Sequence, residues 1–211
     1  MQQFFDIINH MCGFLSLPNN PFVQAAMGTA LFFSVILALG AVASALSIII
    51  NLVLARAIGS VPAFISMNYL TWPGTVFHEL SHALFIVLTG AKITHFSVLP
   101  KGRTLGRVEF VSRGGLFARS LQLSLSAVAP VICGAAAEIL IFVLFPLCGA
   151  AWQRALLIYL AISILLHATL SSQDIKNFWR GLLPTSLTVY AIMLVLVTIT
   201  PSITSQSFLT L

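Results

Sequence analysis

The sequence predicts an all-α polytopic membrane protein with about five transmembrane helices, or six, and one short cytoplasmic β-hairpin after the second. Three observations carry this. Hydrophobic residues make up 59% of the 211 and charged residues only 7%, whereas a soluble globular chain carries roughly a quarter charged residues. Mean hydropathy is +1.04. Long apolar runs recur along the chain, and several reach the ~20 residues needed to cross a bilayer. An ordinary soluble domain, a disordered chain and a disulfide scaffold are therefore excluded.

The elements follow in order. Residues 1–21 contain no Lys or Arg, so a cleavable signal with a positive start is not expected. Residues 4–17 mix apolar and polar positions, which suits a short interfacial helix or an unordered terminus. The remainder, 22–211, reads as a single membrane-embedded domain without internal repeats. Its spans are expected within 22–55, at 73–90 (with a start as early as Val61), within 116–150, at 155–170 and at 182–200. The first and third exceed one bilayer thickness and should tilt or project beyond the hydrocarbon. Between the second and third, residues 92–111 are rich in β-branched and aromatic side chains around Pro100, Gly102 and Gly106. Two short strands are expected, one from Ile93, Thr94, Phe96 and Val98, the other from Val108, Phe110 and Val111. The pattern leaves their register open.

The net charge of +5 reads as a topology signal, not a nucleic-acid footprint, because no basic run is interleaved with polar sequence. With five spans, Lys92, Lys101, Arg103, Arg107, Arg113, Arg119, Lys176 and Arg180 share one side of the membrane with the N-terminus. Arg56 and Arg154 lie on the other. Cytoplasmic loops collect Lys and Arg, so the hairpin side should be cytoplasmic, and a short chain with little outside the membrane suits a prokaryotic cell membrane. The tail at 201–211 would face outward. The segment from Lys101 to Arg107 suits anionic lipid head groups. Cys12, Cys133 and Cys148 form no pairing pattern, and the two in apolar runs, Cys133 and Cys148, read as small buried hydrophobes.

The chemistry is concentrated at His78, Glu79 and His82, which form HExxH inside an apolar segment. On a helix, positions i and i+4 share one face, so both imidazoles can bind one metal ion. Glu79 can then reach a water at an open coordination position, the arrangement of a zinc hydrolase with Glu79 as general base. Chance placement would produce the motif in a chain of this composition at a rate of roughly 0.2%. Three ionisable groups in five residues of a membrane span are costly, and such groups are usually functional. Helix-to-helix polar packing is the competing explanation.

A catalytic zinc takes three protein ligands and a water. The candidates for the third are Asp174, Glu138 and His167. His82 is eight residues before Gly90, roughly 12 Å from the cytoplasmic end of its helix, and Asp174 lies on that side. Glu138 is nearer the outer end of its span and reads as a buried, paired or protonated carboxyl. His167 reads as an interhelical hydrogen-bonding group. Topology favours Asp174. Thr75 and Ser81 lie near the motif and can bond backward to helix carbonyls; His95 reads as a surface residue of the hairpin.

HELSH at residues 78–82, followed by Gly90 and the hairpin stretch AKITHFSVLP, resembles the site-2-type intramembrane zinc metalloproteases. The small-residue stretch SAVAPVICG at 126–134 is similar to the Gly-Pro-centred helix of that family, and Asp174 to its late aspartate ligand. The resemblance covers 73–181. Ile175 stands where the family has glycine after the aspartate, and Ala129 replaces the glycine before Pro130, so the chain looks like a distant, minimal member. The resemblance implies one Zn2+ per chain held by His78, His82 and Asp174. It implies a membrane-protein substrate cleaved in or near a transmembrane segment, held extended beside the hairpin as an added strand. The rival expectations are a catalytically silent relative acting as a membrane chaperone or assembly factor, a transporter, and a metalloprotease of another membrane family using Glu138.

Overall fold

The computed structural model describes residues 2–99 and 106–207. Pro100, Lys101, Gly102 and Arg103 of the expected turn, and the last four residues of the tail, lie outside the described residues. The described residues are mostly helical. Its elements are α1 (Gln2–Phe14), α2 (Pro21–Ile58), α3 (Ser60–Leu70), α4 (Trp72–Leu88), β1 (Lys92–Ser97), β2 (Arg107–Val111), α5 (Leu116–Leu144), α6 (Ala151–His167) and α7 (Ser172–Ser207). A single 3₁₀ turn, Phe145–Leu147, follows α5.

Among the described residues, three helical segments are long and apolar enough to cross a membrane: Pro21–Ile58, Leu116–Leu147 and Ser172–Ile199. Helix α2 is one continuous rod of 38 residues, about 57 Å at 1.5 Å per residue, and so exceeds the ~30 Å hydrocarbon thickness as expected. Helix α6 is apolar but has 17 residues, as does α4. Both fall short of ~20. The expected early start of the second span is replaced by a break at Thr71, because Pro73 has no N–H to continue the helix. Gly59, with φ of 89°, separates α2 from α3, a conformation open mainly to glycine.

The chain divides into two compact units. One comprises residues 1–35 and 183–211. There α1 forms, with Ile8 and Cys12 buried. Gly28 leaves room for Ile8: a Cβ there would lie 3.2 Å from Ile8 Cδ1. Cys12 is thus the buried thiol, whereas Cys133 and Cys148, expected inside, are only half-buried.

The other unit comprises residues 36–182. Helix α5 is its polar spine. Ser120, Gln122, Ser124 and Ser126 are buried, while Leu116, Phe117, Ile139, Leu140 and Phe142 are exposed. This is the inversion lipid imposes: acyl chains solvate the apolar face, and small or hydroxylated residues let helices touch. Ser124 Oγ donates to the Phe178 carbonyl of α7 at 3.0 Å. A Cβ on Gly181 would collide with the Ser120 backbone, so glycine there permits the close α5–α7 approach.

Both ends of α4 are fixed by other groups. Ser163 of α6 accepts from Gly74 N–H at 2.7 Å and donates to the Thr71 carbonyl at 2.9 Å, capping the helix from outside. At the other end Gly90 adopts φ of 79°. Gly90 N–H donates to the Val87 carbonyl and Ala91 N–H to that of Ile86, a Schellman close. The chain then enters the antiparallel pair β1–β2, in the register Lys92↔Val111 to Ser97↔Arg107, with a bulge at Thr94. Val98, expected in the first strand, falls just outside it, where its carbonyl accepts from Trp72 Nε1–H at 3.0 Å. The buried amide of Gln122 clasps both hairpin ends. Its Nε2 donates to the Thr89 and Arg113 carbonyls at 3.0 and 3.1 Å, and its Oε1 accepts from Arg113 N–H at 2.8 Å.

Candidate metal centre

Helix α4 places His78 and His82 one turn apart with ring planes at 80°. Each ring is held from behind. His78 Nδ1–H donates to the His167 carbonyl and His82 Nδ1–H to the Ser126 carbonyl, both at 2.7 Å. A carbonyl only accepts, so each Nδ1 carries a proton and each ring turns its Nε2 toward the site. The two Nε2 atoms face each other at 3.0 Å. Two lone pairs at that distance repel unless a cation lies between them, either a proton or a metal ion.

A third donor converges on the same point. Asp174 Oδ1 lies 3.4 Å from His82 Nε2, and the donor atoms of His78, His82 and Asp174 all lie within 4.8 Å of one another. The carboxylate is held by its local sequence. Asp174 Oδ2 accepts from Ser171 N–H at 2.9 Å, while Ser171 Oγ accepts from Asp174 N–H at 3.1 Å. This is a reciprocal capping box at the start of α7. One carboxylate oxygen caps the helix and the other is free for the site, so the capping and ligand roles coexist in one side chain. The set fits zinc: two imidazole nitrogens and a carboxylate oxygen bound at ~2.0–2.2 Å would stand ~3.3 Å apart in a tetrahedral site.

Glu79 is buried beside the histidines. It opens onto a cleft of about 580 Å³ walled by the motif residues on one side and by residues 106–110 of the hairpin on the other, with Gln173 and Asn177 of α7 at the rim. Gly106 lies directly over it: a Cβ there would meet Glu79 Cγ at 2.5 Å and Oε1 at 2.7 Å.

The other candidates stand apart. Glu138 lies outside the cluster, its Oε1 buried without a hydrogen-bond partner among the described residues. The His167 ring bonds within its own helix, Nδ1–H donating to the Ser163 carbonyl at 3.0 Å. The interhelical bond expected of its side chain is made by its backbone instead. Ser81 bonds back to the Phe77 carbonyl at 2.7 Å; Thr75 Oγ1 is buried without a partner among the described residues. Of the basic stretch, Arg107 is described and pairs with Glu109 at 2.5 Å. His95 lies in β1 opposite Glu109 and is exposed, as a surface residue of the hairpin. Sequence reasoning missed Gly106, Ser171 and the two supporting carbonyls.

A family model described as Peptidase M50B-like matches residues 43–211. No curated protein and no solved structure matches the chain.

Proposed function

The chain belongs to the Peptidase M50B-like family, the family of site-2 proteases, and from that premise we propose that it is a zinc-dependent intramembrane endopeptidase cleaving peptide bonds in or near transmembrane segments of other membrane proteins. The observation that carries this reading is the convergence of His78 Nε2, His82 Nε2 and Asp174 Oδ1 beside a buried glutamate on one cleft.

In this reading His78, His82 and Asp174 hold one zinc ion, which acidifies water and polarises a carbonyl when bound. Glu79 accepts the proton of the attacking water and returns it to the departing amine nitrogen. Burial of its carboxyl suits this work, because bulk water is kept from competing for the proton. The His167 and Ser126 carbonyls hold the imidazoles in one tautomer. A peptide inside a helix is shielded by its own hydrogen bonds, so the substrate must be extended before attack. The hairpin beside the cleft offers a strand for it to pair with.

The five-span arrangement, with the N-terminus and hairpin cytoplasmic, belongs to the same proposal. It asks α4 and α6 to cross with 17 residues each, about 26 Å. Local thinning of the bilayer would accommodate that.

Cleavage of a transmembrane-segment substrate by the detergent-purified chain should fall to background after removal of zinc by a chelator and return on adding one equivalent of zinc. A folded, zinc-loaded chain that cleaves no member of a transmembrane-segment panel would instead be the silent relative. Gly106→Ala provides a separate check. Its methyl group must push the Glu79 carboxyl aside, so turnover should fall about tenfold to a hundredfold, with zinc content and melting temperature unchanged. Unaltered turnover would mean that the hairpin does not set the position of Glu79.

A further inference from the structure

The two supporting carbonyls are free to serve the histidines for different reasons. His167 is the last residue of α6, and the final carbonyls of any helix lack an intrahelical partner. Ser126 lies in the interior of α5, where a carbonyl is normally taken by the N–H four residues on. That residue is Pro130, which is buried within the helix. Proline has no N–H, and its ring crowds the carbonyl four residues back, turning it off the helix axis. The Ser126 hydroxyl is already committed to the Gln122 carbonyl at 2.5 Å. It is the backbone oxygen of Ser126 that receives His82 Nδ1–H, at 2.7 Å.

We propose that Pro130 is a positioning residue: by vacating the Ser126 carbonyl in mid-helix, it holds His82 as the Nδ1–H tautomer with Nε2 turned toward His78 and Asp174. The inference rests on the reading of that cluster as a zinc site, but the tautomer itself can be observed without metal. Pro130 is not among the residues lining the cleft, and its effect passes through the one carbonyl. Restoring an N–H at position 130 should draw the Ser126 oxygen back into the helix ladder and release the ring.

The test compares wild type, Pro130→Ala and a backbone-ester variant carrying lactic acid at position 130, which lacks the N–H without having the proline ring. Zinc affinity is measured by chelator competition in detergent, and the His82 tautomer by 15N chemical shifts of the metal-free, histidine-labelled chain. Pro130→Ala should melt no earlier than wild type, since alanine is the better helix former. It should bind zinc about tenfold to a hundredfold more weakly, with His82 distributed between tautomers. The ester variant should recover both properties. An alanine variant with unchanged affinity and an intact Nδ1–H tautomer would overturn the proposal. So would an ester variant as weak as alanine, which would assign the effect to the ring. If Pro130→Ala fails to fold, the ester variant decides alone, wild-type affinity supporting the proposal and weakened affinity overturning it. Should the wild type bind no zinc while the tautomer still shifts in Pro130→Ala, the positioning role stands and the zinc-hydrolase reading falls.

Discussion

Alanine at His78 should reduce the zinc content of the purified chain from about one per molecule to below about a tenth, because two remaining protein ligands cannot replace the three a catalytic zinc requires. Asp174→Ala should do the same, while Glu138→Ala should retain full zinc. The expectation follows from geometry: His82 Nε2 lies 3.0 Å from His78 Nε2 and 3.4 Å from Asp174 Oδ1, and Glu138 is not in the cluster. Each substitution also removes a packing or capping contact. His78→Ala strands the His167 carbonyl, and Asp174→Ala removes the capping box, at a cost of about 1 kcal/mol each. Circular dichroism and melting should therefore be recorded beside the metal analysis, so that zinc loss in a folded chain is distinguished from unfolding. Zinc kept in folded Asp174→Ala but lost in Glu138→Ala would move the third ligand to α5 and contradict the His78, His82 and Asp174 set.

The parts of this site that are legible in the sequence are those set by local periodicity. HExxH needs only a helix to bring His78 and His82 onto one face, and the helix is announced by Pro73 at its start and Gly90 at its end. Asp174 is reachable through topology, because charge counting puts its end of α7 on the same side as the nearer end of α4. What is not legible comes from backbone groups of distant segments. A carbonyl leaves no trace in a residue name, so the Ser126 and His167 oxygens stay invisible until the helices are packed. Pro130 is nevertheless a usable signal, because a proline four residues after any position frees that carbonyl. Ser171 and Asp174 likewise spell a capping box that an assignment of Asp174 to capping or to metal alone would obscure. The hairpin register is hidden for another reason. The bulge at Thr94 reverses the alternation on which strand patterns depend. The span count also depends on more than hydropathy, since α4 carries the polar motif and, like α6, is one turn shorter than a typical crossing.

Glu79→Gln should lower turnover by about 10²–10⁴-fold with zinc content unchanged. The amide keeps the size and nearly the shape of the carboxyl, so Gly106 still packs over it and the cleft is preserved. It cannot accept the proton of the attacking water, and the leaving nitrogen loses its proton donor. Because substrate binding relies on the cleft and hairpin, the variant should hold an uncut substrate segment as well as wild type holds it before cleavage. This makes it a trap for identifying natural substrates by crosslinking. Two contrary results would mean different things. Loss of zinc from folded Glu79→Gln would make Glu79 a ligand, displacing one member of the His78, His82 and Asp174 set. Full turnover with zinc in place would require another proton acceptor on the cleft, and the described residues lining it offer only Asp174 and Glu109 as further carboxylates. Asp174 is committed to Ser171 and His82, and Glu109 to Arg107. The proton therefore has one well-placed destination, and Glu79 is the residue at which a zinc-hydrolase mechanism is most exposed to refutation.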